Sequence, residues 1–507
     1  MQSEVEKLQV FKRVAFAMLA LVLATALLGS EVSLAFQSAW SAAKRVDGYA
    51  ATVTTPHLVA DREKTVHAFS QQLVGDTVAI VYRRWSRDGG WSPVNDIVLA
   101  PHGEWTKLIG AFLDNKGVMH LAFFGPTGGQ GVGVYYSRAL ASVAGRAGSW
   151  SPPLQVGSVS GADNYAALVG DEAGNLIILY NATRAGNGIS EVRSTDGGTS
   201  WSEPSIVYLT NSGNHLAAPV IAYADTSGRM HALWTLVSNA GNGQAIYYSR
   251  LDDDQATWGQ PLALATRTLY ETDHPSIIEH EGELFVLYNN GSPVERWMRR
   301  SRDAGKTWSE PARVFPALVG ENGPASLVHD GDGTLHALFA NRIEVLGQAA
   351  IHGLWHSVWQ GGQWSPPQSV VSGPRVTSDQ GEQFDPSYPH AVVSQGNVLL
   401  VVWTTDPGPE MGGNGAWFSY TTLSAAELAV VPLPTPEPTP TRTPLPTVEL
   451  PARARPVGTP SPPEVSSALA KEAPRGGAPP PLLVGVVPVI VLISSVVGAR
   501  AILSARR

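Results

Sequence analysis

The sequence predicts an all-β chain folded as a β-propeller, and three observations carry that expectation. A Trp followed closely by Pro recurs at Trp91, Trp150, Trp201, Trp258, Trp308 and Trp364, at intervals of 50 to 59 residues. Each Trp is preceded by an alternating segment (VAIVYRR, VGVYYSR, ISEVRS, AIYYSR, RWMRRS, GLWHSV) and, further upstream, by a more apolar one (TVHAFS, VMHLAFF, NLIILY, RMHALW, ELFVLY, TLHALF, NVLLVVW). No segment of this region has a helical period, and turns of Asp, Gly, Ser and Asn separate the apolar runs. Four short strands per unit make a sheet that cannot cover both of its own faces, whereas a ring of radially packed sheets can.

The elements follow in chain order. Lys7, Lys12 and Arg13 precede an apolar run from Val14 to Leu28, with Ser33-Leu34-Ala35 as a cleavage site, so residues 1–36 read as a signal peptide or, alternatively, an N-terminal anchor. Residues 40–424 hold the repeats. Seven upstream strands stand against six Trp-bearing fourth strands, so seven blades are favoured over six, with a strand near Tyr49 to Val53 expected to close the ring. Residues 432–481 are a Pro-rich stalk, exemplified by PLPTPEPTPTRTPLPT, unable to bury enough apolar surface to offset its ordering entropy. Residues 482–503 read as a transmembrane helix. Its uncharged stretch Leu482 to Ala499 would rise about 27 Å, and Arg500, Arg506 and Arg507 mark the cytoplasmic end. The expected location is the cell membrane, single-pass, with a monomeric propeller outside.

Composition narrows the chemistry. The chain has no Cys, which removes a disulfide scaffold, a cysteine-ligated metal and a thiol nucleophile together. Its net charge of −8 is spread along the chain and leaves no basic footprint for nucleic acid. No His pair stands at metal-ligand spacing, and neither a cofactor nor a metal is expected.

Ser194-Thr195-Asp196-Gly197-Gly198-Thr199-Ser200-Trp201 and Ser301-Arg302-Asp303-Ala304-Gly305-Lys306-Thr307-Trp308 resemble the Asp-box, or BNR repeat, of the sialidase superfamily. Ser86-Arg87-Asp88-Gly89-Gly90-Trp91 is a shortened version, and Asp252 to Trp258 a degraded one. In such a box the Asp accepts turn N–H groups, the Gly takes a positive φ and the Trp plugs the blade. Asp88, Trp91, Asp196, Trp201, Asp303 and Trp308 are therefore expected to be structural.

The resemblance implies that ligands bind on the opposite face, formed by second-to-third strand loops and by crossovers between blades. Those segments carry Asp163, Tyr165, His215, Arg267, Glu271, Asp273, His274, Glu321, Arg184, Arg342, Glu344, Asp406 and Glu410. The long last crossover adds Arg375, Asp379, Glu382, Asp385 and Tyr388. A sialidase clamps the substrate carboxylate with three arginines, since a guanidinium pairs a carboxylate bidentately. Arg184, Arg267, Arg342 and Arg375 fill that slot by type. Tyr388 fills the nucleophile's place with Glu382 or Glu321 as its activator, and Asp163 or Asp273 that of the acid/base. The Arg-Ile-Pro-type motif of many members is absent, and the arginine nearest the first inner strand is Arg62, in LVADREKT. The expected function is a cell-surface, sialidase-like propeller acting on extracellular glycans, by exo-sialidase-type hydrolysis or, alternatively, as a non-catalytic glycan- or protein-binding propeller.

Overall fold

The structure, a computed structural model, describes residues 40–435 apart from 130, 160–164, 183–187, 211–214, 253–255, 268–270, 321–322, 344–349, 377–383 and 406–413. It forms a seven-bladed propeller, each blade an antiparallel sheet of four strands with the first strand innermost. The inner strands are His57–Ala60, Lys107–Leu113, Ala166–Gly170, His215–Ala224, Glu271–His280, Ser326–His329 and Pro386–Ser394, in blades 1 to 7. Blades 1 and 6 add short pairings at Gly90–Trp91 and Gln363–Trp364 beside the third strand. Among the described residues no helix is long and apolar enough to cross a membrane. The signal or anchor segment and the transmembrane segment lie outside the described residues, as does all of the stalk beyond Thr435.

The near-continuous apolar second strands are explained by their place between two neighbours. In blade 7, Val398–Thr405 is buried along its whole length. Alternate side chains of a strand point to opposite faces. Val398, Leu400 and Val402 accordingly pack with Leu58, Val66, Ala68 and Trp85 of blade 1. Leu399, Val401 and Trp403 pack with Leu338 and Leu354 of blade 6. Each such side chain, worth about 1.5–3 kcal/mol when fully buried, belongs to an inter-blade seam, so the core is a ring of seams with no single centre.

The ring is closed by the N-terminal part of the chain, as expected, but by a different segment. Lys44–Arg45 pairs with Phe418 and Trp417 as the fourth strand of blade 7, flanked by Ser41 N–H to Tyr420 O at 2.8 Å and Val46 N–H to Ala416 O at 2.8 Å. The expectation for Tyr49 to Val53 is corrected: Gly48, at φ +85°, turns the chain off the sheet edge before them. Tyr49 and Val53 instead plug the seam with Val46, Val81 and Ala416. Arg83 locks this plug by donating to the Asp47 carbonyl and lying 5.1 Å from the Tyr49 ring centre.

The chain after blade 7 straps the same seam from beneath. Leu428 N–H bonds Gln395 O, Val431 N–H bonds Arg62 O at 3.1 Å, and Leu433 N–H reaches Glu63 Oε1 at 2.6 Å. Ser142 of blade 2 then donates to Pro434 O at 2.5 Å. Residues 425–434 thus bind blade 7 to blades 1 and 2, and the first residues of the expected stalk lie against the ring.

Two repeated devices hold that lower face. In the hairpins between third and fourth strands, Asp196 Oδ1 accepts the N–H groups of Thr199 and Ser200, both at 2.9 Å, and Asp303 Oδ1 accepts that of Thr307 at 2.8 Å. Hydrogen bonds from Thr307 hold the Asp303 carboxyl down at about 2. In the hairpins between first and second strands, an Asp six residues before a His recurs in four blades: Asp61 with His67, Asp114 with His120, Asp225 with His231 and Asp330 with His336, at 3.0 to 3.3 Å. The other ring nitrogen of the first three meets a buried phenol, Tyr82, Tyr136 or Tyr248, at 2.6 to 2.9 Å, and that of His336 meets His356 at 2.9 Å. The devices interlock, because Trp201 and Trp308 pack edge-on against Tyr136 and Tyr248 of the preceding blades at 4.9 and 5.0 Å. All these residues are employed in structure.

Candidate functional site

The opposite face is assembled from the starts of inner strands, the ends of second strands and the starts of third strands. Three adjacent blades share one device there, a residue of positive φ followed by proline: His274-Pro275 in blade 5 at φ +49°, Gly323-Pro324 in blade 6 at +100° and Tyr388-Pro389 in blade 7 at +48°. In blades 5 and 7 it coincides with a break in ladder register, between Asp273 and Ser276 and between Ser387 and His390. A bulge re-aims the side chain that it carries. A bulky residue held in the left-handed region stores about 1–3 kcal/mol of strain, which persists where the surroundings over-determine it.

The re-aimed side chains meet. Tyr388, 53% exposed, leans across blade 6 over Gly323, where a Cβ would come within 2.9 Å of its Cδ1. Its ring reaches that of His274, edge to face at 5.9 Å between centres. The Nδ1 of His274 pairs with Asp273 Oδ1 at 3.0 Å, with the carboxylate largely withdrawn from water. A half-exposed phenol of blade 7 thus meets an imidazole and a carboxylate of blade 5 across blade 6.

Beneath and beside them lies a charged support. Arg296, 1% exposed, donates from Nη2 to Asn341 Oδ1 at 3.1 Å and to the Gly323 carbonyl at 3.4 Å. It thereby holds the glycine on which Tyr388 rests. Three residues before Tyr388, Asp385 accepts from Arg375 Nε at 3.0 Å and pairs with His352 Nδ1 at 2.7 Å. Further down the inner strands, the rings of His57 in blade 1 and His390 in blade 7 stand 4.7 Å apart. Burial depresses both, and the nearness of His57 adds to the effect on His390, which falls to about 3, so the pair is held as neutral imidazoles.

Of the residues singled out from sequence, Tyr388 and Asp273 are brought together through His274. Arg375 joins their periphery through Asp385. Arg342 lies at the end of the second strand of blade 6, its backbone paired with Val319 of the blade 5–6 crossover and its side chain packed on Gly320. Arg267 is exposed at the end of the outer strand of blade 4, its N–H bonded to Gln244 O at 2.8 Å. Asp163, Arg184, Glu382, Glu321, Glu344, Asp379, Asp406 and Glu410 lie outside the described residues. Sequence reasoning missed Arg296 and Gly323. The first shares strand parity with the buried Met298 in ERWMRRS, which marks an inward-facing arginine, and the second stands before a proline as His274 and Tyr388 do.

Among the described residues no group of three or more His, Asp or Glu side chains could hold a metal ion. No family model matches the chain, and no curated protein matches it. Solved structures do resemble its fold. The Hadza microbial sialidase Hz136 is 16% identical with a TM-score of 0.41, covering 72% of this chain and 74% of that one. A polysaccharide lyase, an ulvan lyase, is 13% identical with a TM-score of 0.47 over 76% and 97%. The intramolecular trans-sialidase from Ruminococcus gnavus is 13% identical with a TM-score of 0.38 over 75% and 96%. At these identities the likeness is one of fold alone.

Proposed function

We propose that this chain is a surface-displayed glycan-processing propeller that hydrolyses terminal acidic sugars in the manner of an exo-sialidase. The observation that carries the reading is the placement of Tyr388: strained at φ +48°, half exposed, and faced by the His274–Asp273 pair on the side of the ring away from the structural turns. A phenol is a weak nucleophile until a base takes its proton. In the proposed reaction Glu382 accepts that proton while Tyr388 Oη bonds to the anomeric carbon and the bond to the leaving oxygen breaks. Asp273, through His274, or Asp163 protonates that oxygen and then activates the water that releases the sugar. Arg375, with half of its side chain exposed beyond Asp385, Arg342, Arg267 and Arg184 supply cationic groups for the substrate carboxylate. The ring stands on the stalk 432–481, above a membrane helix at 482–503.

The alternative is a propeller that binds surface glycans without turning them over. The engagement of Arg375 by Asp385, and the packing of Arg342 on Gly320, favour that reading because they occupy groups a clamp requires. Hydrolysis of a fluorogenic sialoside by the full chain separates the two. Turnover that falls in Tyr388→Phe supports the hydrolase, and no turnover by the unaltered chain removes it.

A further inference from the structure

The axial mouth carries a second exposed aromatic group across from Tyr388. Tyr165, just before the inner strand of blade 3, is 38% exposed. Its backbone is pinned from both sides, its N–H to Asn181 Oδ1 at 3.0 Å and its carbonyl to Asn181 N–H at 2.9 Å. Lys107, first residue of the inner strand of blade 2, places Nζ 5.2 Å from the Tyr165 ring centre. The phenol ring and the ammonium are therefore presented together on a backbone that is held in place.

Their height in the ring follows from that histidine pair. His390 of blade 7 stands against His57 of blade 1. A Cβ at Gly110 of blade 2 would lie 3.8 Å from both His57 and Leu168 of blade 3. These four positions trace one arc around the axis. Tyr388 is two residues above His390, Lys107 three above Gly110 and Tyr165 three above Leu168. All three therefore stand above the level of that pair, at the same end of their strands, on one rim. Blades 7 and 3 are three steps apart in a ring of seven, so Tyr388 and Tyr165 face each other across the mouth.

We infer that Tyr165 and Lys107 form a second sugar subsite, and that the ligand of this face is an anionic oligosaccharide lying across the axial mouth. An exposed aromatic face covers the apolar C–H face of a pyranose, and an adjacent ammonium selects a sugar bearing a carboxylate. The inference rests on the reading of the Tyr388 site as a site for acidic sugars, and extends it from one sugar unit to several.

The test is calorimetric binding of the full-length protein to a hexamer of sialic acid and, separately, to a hexamer of galacturonic acid, each compared with its monomer. The expected result is tighter binding of at least one hexamer than of its monomer. Tyr165→Ala should then weaken hexamer binding by about tenfold or more, Lys107→Met should weaken it and reduce its salt dependence, and Tyr165→Phe should retain it. Binding of neither hexamer, or equal hexamer affinity in Tyr165→Ala and the unaltered protein, would overturn the subsite. Failure of the Tyr388 reading shows separately, as absent or Tyr388-independent turnover of the small substrate.

Discussion

Replacing Gly305 by Ala tests how the turns of one blade register the next. Gly305 holds φ +85°, and a Cβ there would sit 1.7 Å from the Oη of Tyr248 in the preceding blade. That phenol cannot retreat without leaving His231 Nδ1, 2.7 Å away, whose other nitrogen meets Asp225 at 3.1 Å. Two penalties combine: about 1–2 kcal/mol for a side chain in the left-handed region, and about 1–3 kcal/mol for a buried polar group deprived of its partner. Gly282 separates them. It lies in the first hairpin of the same blade at φ +78°, with nothing within 4 Å of its Cβ position, so Gly282→Ala incurs the backbone penalty alone. Urea unfolding of the full chain should show Gly305→Ala losing about 1–3 kcal/mol more than Gly282→Ala. Equal losses would refute the interlock of turn and phenol between blades.

The remaining predictions concern pH, closure and the site. His356 and His390 are pushed down to about 3, first by burial and then by a neighbouring histidine, whereas the unfolded chain protonates them near 6.5. Between those values the unfolded state holds more protons. Stability is therefore expected to fall as pH drops from about 6.5 toward 3, by up to about 1.4 kcal/mol per pH unit for each group; unfolding at pH 7, 5.5 and 4.5 checks this, and His390→Gln should reduce the slope. A chain ending at Leu423 should unfold at lower urea than one ending at Thr435, because it lacks the strap across blades 7, 1 and 2; coincident midpoints would show the strap to be idle. Gly323→Ala should lower kcat/KM for a sialoside by about a hundredfold, since a Cβ within 2.9 Å of Tyr388 Cδ1 displaces the ring and misplaced reacting groups lose about that much; unchanged kinetics would count against Tyr388 as the reacting group.

Much of the fold is legible in the sequence because each blade repeats its local chemistry. The six Trp motifs mark the outer edge, and runs such as NVLLVVW announce strands buried on both faces, as Val398–Thr405 proves to be. The seventh blade follows from the strand count. The closing strand was misplaced by a few residues because Tyr49 and Val53 look like strand residues, and burial without pairing leaves the same apolar signature. The Asp-to-His spacing of six residues at Asp61, Asp114, Asp225 and Asp330 is visible in the sequence, yet its meaning depends on phenols and rings contributed by the third strand. The site is harder still. Asp273, His274, Gly323 and Tyr388 come from three blades, and nothing local states that a tyrosine of blade 7 leans over a glycine of blade 6 toward blade 5. The pre-proline positions are the trace that local sequence does carry.

The measurement closest to the central claim is peptide mass analysis of the full chain acid-quenched during turnover of a sialoside. The account predicts a sugar adduct on the peptide containing Tyr388, absent in Tyr388→Phe, with turnover in that variant reduced by about a thousandfold. Turnover without an adduct on Tyr388, sustained in Tyr388→Phe, would contradict it.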